Sequence, residues 1–119
     1  MNTVVRRGMF AVTIDTLPGY RVRRVIGQVV GATARPRNTF LDEVKGLGGD
    51  PNPRASYALA QWREDAVTRM LEAAYRRGAN AVVGMRFDHR DISDTWNEIC
   101  AYGTAVFVVP SGTVPVDQP

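Results

Sequence analysis

The run Gly78-Ala79-Asn80-Ala81-Val82-Val83-Gly84 constrains this chain more than any other stretch. A long amphipathic helical pattern precedes it. A strand pattern, a polar loop and a second strand carrying Tyr102-Gly103-Thr104-Ala105-Val106 follow. Gly78 and Asn80 both tolerate the left-handed backbone and so can stop a helix. Beyond them the apolar residues change from helical spacing to alternation. An α-then-β-hairpin unit follows from that change of period, whatever the rest of the chain does.

The helix preceding this run is predicted from Ser56, a candidate cap, to about Arg77. Leu59, Trp62, Ala66, Met70, Ala73 and Ala74 fall on one stripe, widened by Val67 and Leu71. Such a stripe covers one face of a sheet. Upstream, Met9–Ile14 reads as a strand, and Tyr20–Ala34 as a longer one rich in β-branched residues. The alternation slips between Arg24 and Ile26, which predicts a bulge. Gly27 and Gly31 strip side chains from one face, so another backbone or a neighbouring subunit is expected close by. Residues 40–47 read as a short helix and Gly48–Pro53 as a loop. No lysine or serine follows Gly48-Gly49 at phosphate-loop spacing.

Downstream, Ala81–His89 is a strand with Ala81, Val83, Met85 and Phe87 on one face. Glu98–Val109 is apolar on both faces. A strand buried on both sides needs two covers. The helix supplies one, and a second subunit is the expected other. The predicted fold is α+β: an antiparallel sheet in the order β-β-α-β-β with one long helix on one face. Residues 1–109 form a single domain, and 110–119 a flexible tail.

Composition narrows the function classes. The chain has 119 residues and 45% hydrophobic content, an ordinary globular profile. No apolar stretch reaches bilayer length. Thr13 and Asp15 interrupt any signal-like region, so a cytoplasmic setting and no membrane partner are expected. One cysteine, Cys100, excludes an intramolecular disulfide and any paired-cysteine zinc site within one chain. The net charge of +3 comes from scattered arginines, which argues against nucleic-acid binding.

Three constellations remain. If the last two strands form a hairpin with His89 opposite Glu98 and Phe87 opposite Cys100, then His89, Glu98 and Cys100 share a face. Imidazole, carboxylate and thiolate suit a divalent or soft metal ion. A register slip of one residue destroys that site. The blander reading, which the sequence favours, makes His89 a solvated strand end and Cys100 a small core hydrophobe. Second, Trp62, Trp96, Tyr57, Tyr102 and Phe107 offer aromatic walls for a small ligand, with Arg86 or Arg24 to hold an anionic group; the competing reading makes Trp62 core. Third, Asp88, His89, Asp91 and Asp94 concentrate titratable groups where a hairpin loop is expected, and Ser56, Ser93 and Ser111 lack a nucleophile-elbow setting. The expectation is a protein that is not an enzyme.

Gly27-Gln28-Val29-Val30-Gly31, the helix opening from Tyr57 through Arg63 and Ala66, the Gly78–Gly84 run and Tyr102–Val106 together resemble the YbjQ-like family. The likeness covers about residues 15–109. That family of small bacterial and archaeal domains is labelled "putative heavy-metal-binding". The resemblance implies a dodecin-like subunit assembled as a ring, commonly a pentamer or two stacked pentamers, and it brings no catalytic residues. The combined expectation is a homo-oligomeric binding module for a metal ion or small anionic ligand; the alternative is a non-catalytic scaffold or protein-interaction ring with no bound ligand.

Overall fold

The computed structural model describes residues 3–6, 8–36 and 53–112. The helix expected at 40–47, the loop at 48–52 and most of the C-terminal tail lie outside them. Five strands and one helix follow in the order β1 (Thr3–Arg6), β2 (Met9–Val12), β3 (Tyr20–Pro36), α1 (Pro53–Arg76), β4 (Ala81–Asp91) and β5 (Trp96–Pro110). The sheet runs β1-β2-β4-β5-β3. Two parts of the expected fold need correction. A further strand, β1, precedes the expected ones, and the sheet is mixed, because β2 pairs with β4 in parallel. The path from β2 through β3 and α1 returns to β2's side of the sheet. That crossover delivers β4 in β2's own direction.

Helix α1 ends as its sequence requires. Gly78 adopts φ 91°. The Ala79 amide donates to Ala74 O at 3.0 Å and the Gly78 amide to Tyr75 O at 3.0 Å, the two bonds of a Schellman motif. Asn80 has a different role from the expected helix stop. Its Nδ2 donates to Val108 O at 2.9 Å and its Oδ1 accepts from the Val108 amide at 2.8 Å. The side chain thus imitates a strand partner where β4 has not yet begun.

The apolar stripe of α1 lies on the sheet. Trp62, Ala66, Val67, Met70, Leu71 and Ala74 join Val29, Val82, Met85, Ile99, Ala101 and Ala105 in one core. Full burial of side chains such as Met70 and Leu71 contributes roughly 1.5–3 kcal/mol each. The helix comes closest at Gly31. A Cβ there would meet the backbone of Ala66, Arg69 and Met70, so the expected backbone approach is real and comes from the same chain. At Gly27 the neighbour is instead the Arg77 guanidinium, which donates to Gln28 O at 2.7 Å and Ile26 O at 3.2 Å.

The opposite face is covered in part. Val12, Ala81, Val83, Val106 and Val108 form a second core closed by Leu17. The segment between β2 and β3 therefore supplies, at this end, the second cover expected from another subunit. Towards the hairpin end Val30, Cys100 and Tyr102 stay partly or fully open. Strand β3 forms the sheet's edge and carries Val22, Val25 and Val30 at 46%, 65% and 47% exposure. Among the described residues no helix is long and apolar enough to cross a membrane.

One glycine sets the register of the hairpin. From Ala81 to Val83, β4 pairs with β5 as Ala81↔Val106, Val82↔Ala105 and Val83↔Thr104; an irregularity follows, and the ladder resumes as Arg86↔Tyr102 and Phe87↔Ala101. Gly84 sits in it at φ 64° and donates its amide to Ile14 O at 2.8 Å. One residue is thereby inserted, as in a β-bulge. The expected single face of Ala81, Val83, Met85 and Phe87 is divided. Ala81 and Val83 enter the second core, whereas Met85 and Phe87 pack with the helix.

Candidate functional site

The bulge at Gly84 decides the fate of the expected metal ligands. Continuing the register of Ala81–Val83 would have set His89 against Glu98. Beyond the bulge the pairs are Asp88↔Cys100, His89↔Ile99 and Arg90↔Glu98. His89 therefore lies on the helix side with Ile99, while Glu98 and Cys100 lie on the other side with Arg90 and Asp88. Among the described residues no three His, Cys, Asp or Glu side chains converge to hold a metal ion.

Glu98 has a different partner. Arg90 Nη2 and Nε both donate to its Oε1, at 2.7 and 3.1 Å. That hydrogen bond, with the accompanying charge attraction, raises the Arg90 pKa. The Cys100 thiol is also pushed up, first by burial and then by the Glu98 charge; Arg90 opposes this and Asp88 adds to it. Cys100 is thus a half-buried thiol with less thiolate character than a free cysteine.

His89 instead borders a cavity of about 200 Å³ between the first half of α1 and the end of the hairpin. Leu59, Trp62 and Ile99 form its apolar wall, and His89 and Asn97, on the face of Ile99, contribute polar groups. Trp62 is held from behind. Its carbonyl accepts from Thr33 Oγ1 at 3.3 Å, and the Arg35 guanidinium stands 5.5 Å from the ring centroid while pairing with Asp65 at 2.8 Å. Asn97 is the anomaly. Its Oδ1 is buried with no hydrogen-bond partner, a condition native interiors rarely tolerate. A buried amide oxygen without a donor is costly, by roughly 1–3 kcal/mol.

Sequence reasoning placed Asn97 in a polar loop. The signal for its inward position was there: it stands two and four residues before Ile99 and Ala101, on their face of an alternating strand. The aromatic set is dispersed. Trp62 is core at the cavity wall, Tyr57 and Trp96 are exposed, Tyr102 is half-buried on the uncovered face, and Phe107 lies under Arg24 at 5.7 Å. Arg86 is engaged elsewhere, donating to Thr13 O and Met85 O, both at 2.8 Å.

Known proteins agree with this architecture. A solved structure of a protein of unknown function in the DUF74 family, from Pediococcus pentosaceus, superposes with a TM-score of 0.60 at 15% identity; the match covers 87% of this chain and all of that one. It shows the fold alone. A UPF0145 protein of Acidothermus cellulolyticus is 42% identical over 103 residues, covering 84% of this chain and 95% of its own. A UPF0145 protein of Methanothermobacter thermautotrophicus is 42% identical over 106 residues, covering 87% and 94%. One from Thermus thermophilus is 40% identical over 105 residues, covering 86% and 92%. Residues 9–109 match the family model described as "Putative heavy-metal-binding". By that match and by these relatives, the chain belongs to the YbjQ family.

Proposed function

We propose that this protein is a homo-oligomeric, non-catalytic binding module whose hairpin-end cavity takes a small molecule. The observation that carries the reading is a cavity walled by Trp62, Leu59 and Ile99 with the polar side of Asn97 and His89 in its lining. An apolar wall with a few placed polar groups is the usual make-up of a ligand site. The ligand is a flat molecule with an N–H or O–H donor for Asn97, and His89 at the rim suits an acidic substituent. For scale, an engineered cavity of about 150 Å³ holds benzene. Assembly through β3 is supported by its open edge and the apolar side chains along it, a surface native sheets rarely leave uncovered. A ring is the arrangement proposed.

A second reading, prompted by the family description, is metal binding in the assembled oligomer. Cys100 and Glu98 stand on the uncovered face, where a second subunit would bring further ligands. Native mass spectrometry of protein purified without chelator tests both readings. The expected result is an oligomer with a reproducible extra mass per subunit, lost in Asn97→Leu. A monomer at micromolar concentration refutes the assembly. A clean oligomer refutes the ligand and leaves the scaffold. An extra mass matching a metal ion, lost on Cys100→Ser and kept in Asn97→Leu, establishes the second reading in its place.

A further inference from the structure

At the opposite end of the sheet from the hairpin cavity, Arg23, Arg24 and Phe107 line a second cleft of about 280 Å³. Consecutive residues of a regular strand point to opposite faces. Here the β3–β5 register shifts between Val22 and Arg24, and both arginines line the same cleft. The irregularity therefore doubles the positive charge at one place. Arg24 is held there. Its Cζ stands 5.7 Å from the Phe107 ring centroid, and its Nη2 lies 3.5 Å from where a Cβ on Gly78 would be. Arg77, the next residue back, adds a third positive charge, with donors turned to Gln28 O and Ile26 O. Among the described residues none of these three arginines has a carboxylate in an ion pair.

Like charges gathered without a counter-charge repel one another. A guanidinium presents planar, paired donors that match a phosphate, and an aromatic ring beside it offers a stacking surface. We propose that this cleft binds a phosphorylated small molecule bearing a flat aromatic group, with the phosphate between Arg23 and Arg24 and the ring against Phe107. The site shares no residue with the hairpin cavity, so either can fail without the other, and it requires that assembly along β3 leave Arg23 and Arg24 open.

The test is calorimetric titration of the intact protein with phenyl phosphate and, separately, with inorganic phosphate. Phenyl phosphate is expected to saturate at one per subunit and to bind on the order of tenfold more tightly than inorganic phosphate. Arg23→Gln, at an exposed position, should weaken both by about tenfold. Phe107→Leu should bring phenyl phosphate down to the level of inorganic phosphate. Arg63→Gln, on the helix by Phe87, should change neither. No saturable binding overturns the proposal. So does equal loss in Arg23→Gln and Arg63→Gln, which would mark diffuse surface charge, and so does equal affinity for the two probes in the unaltered protein.

Discussion

Replacing Gly31 by alanine tests the packing of helix on sheet at its tightest point. The added methyl would sit 2.8 Å from Arg69 C, with Met70 N and Ala66 O nearer still. All three are helix backbone, and none can rotate away. The helix must retreat, or β3 must bend outward. A shift of roughly 0.5–1 Å forfeits about a quarter to a half of the dispersion well for each separated atom pair. Val29, Trp62, Ala66 and Met70 all meet across this contact. Overpacking costs about 1–3 kcal/mol in ordinary cores. Here the obstacle is rigid, and we expect about 3–4 kcal/mol, a large share of a typical total of about 5–15 kcal/mol. Thermal unfolding followed by far-UV circular dichroism, at fixed protein concentration because assembly couples to stability, should show Tm lower by roughly 10–15 °C. A loss under about 0.5 kcal/mol would refute the close seating of α1 on Gly31.

Two other expectations concern single side chains. Asn80→Ala removes both bonds to Val108 and leaves its partly buried amide and carbonyl unpaired, so urea unfolding should show a loss of about 1–3 kcal/mol; Asn80→Asp, which keeps the acceptor and lacks the donor, should fall between the two, and a neutral Asn80→Ala would show that the bonds carry no weight. Cys100 should react with iodoacetamide at pH 8 more slowly than a free thiol, and Glu98→Gln should speed it by removing a charge that raises its pKa. The sign for stability follows from the same shift: a thiol with a raised folded pKa keeps its proton longer when folded, so its contribution is complete below the ordinary thiol range and is lost as pH rises through the folded value. Alkylation as fast as that of a free cysteine would contradict the burial of the sulfur.

Much of the fold was legible because it depends on local period. The α1 stripe, the Gly78 stop and the two-sided character of β5 are patterns of neighbours in sequence. What escaped depends on distant pairing. Nothing in Met9–Val12 announces that β2 runs beside β4 and parallel to it, since that follows from the path of the chain between them. Thr3–Arg6 is too short for its alternation to stand out. Gly84 was a different kind of miss. A glycine inside a strand is a recognised mark of a bulge, yet unbroken alternation through Gly84 keeps Ala81, Val83, Met85 and Phe87 on one face. That one-residue error passed along the hairpin and united His89 with Glu98 and Cys100 on a face they do not share. The bulge expected between Arg24 and Ile26 is met by two irregularities that flank Arg24 and Val25, at Val22/Arg24 and Val25/Gly27.

The pairing of β3 with β5 has a consequence for how the protein is made. Tyr20 meets Pro110 and Pro36 meets Trp96, so each contact closes a loop of many tens of residues. Contacts this distant in sequence slow folding, because the chain loses its freedom before the pairing returns any stability. During synthesis β3 emerges well before its only partner among the described strands. Until β5 leaves the ribosome, seventeen residues of extended, valine-rich chain have no native strand partner among the described strands, and in that interval the nascent chain is most exposed to pairing with the wrong strand or to capture by a chaperone.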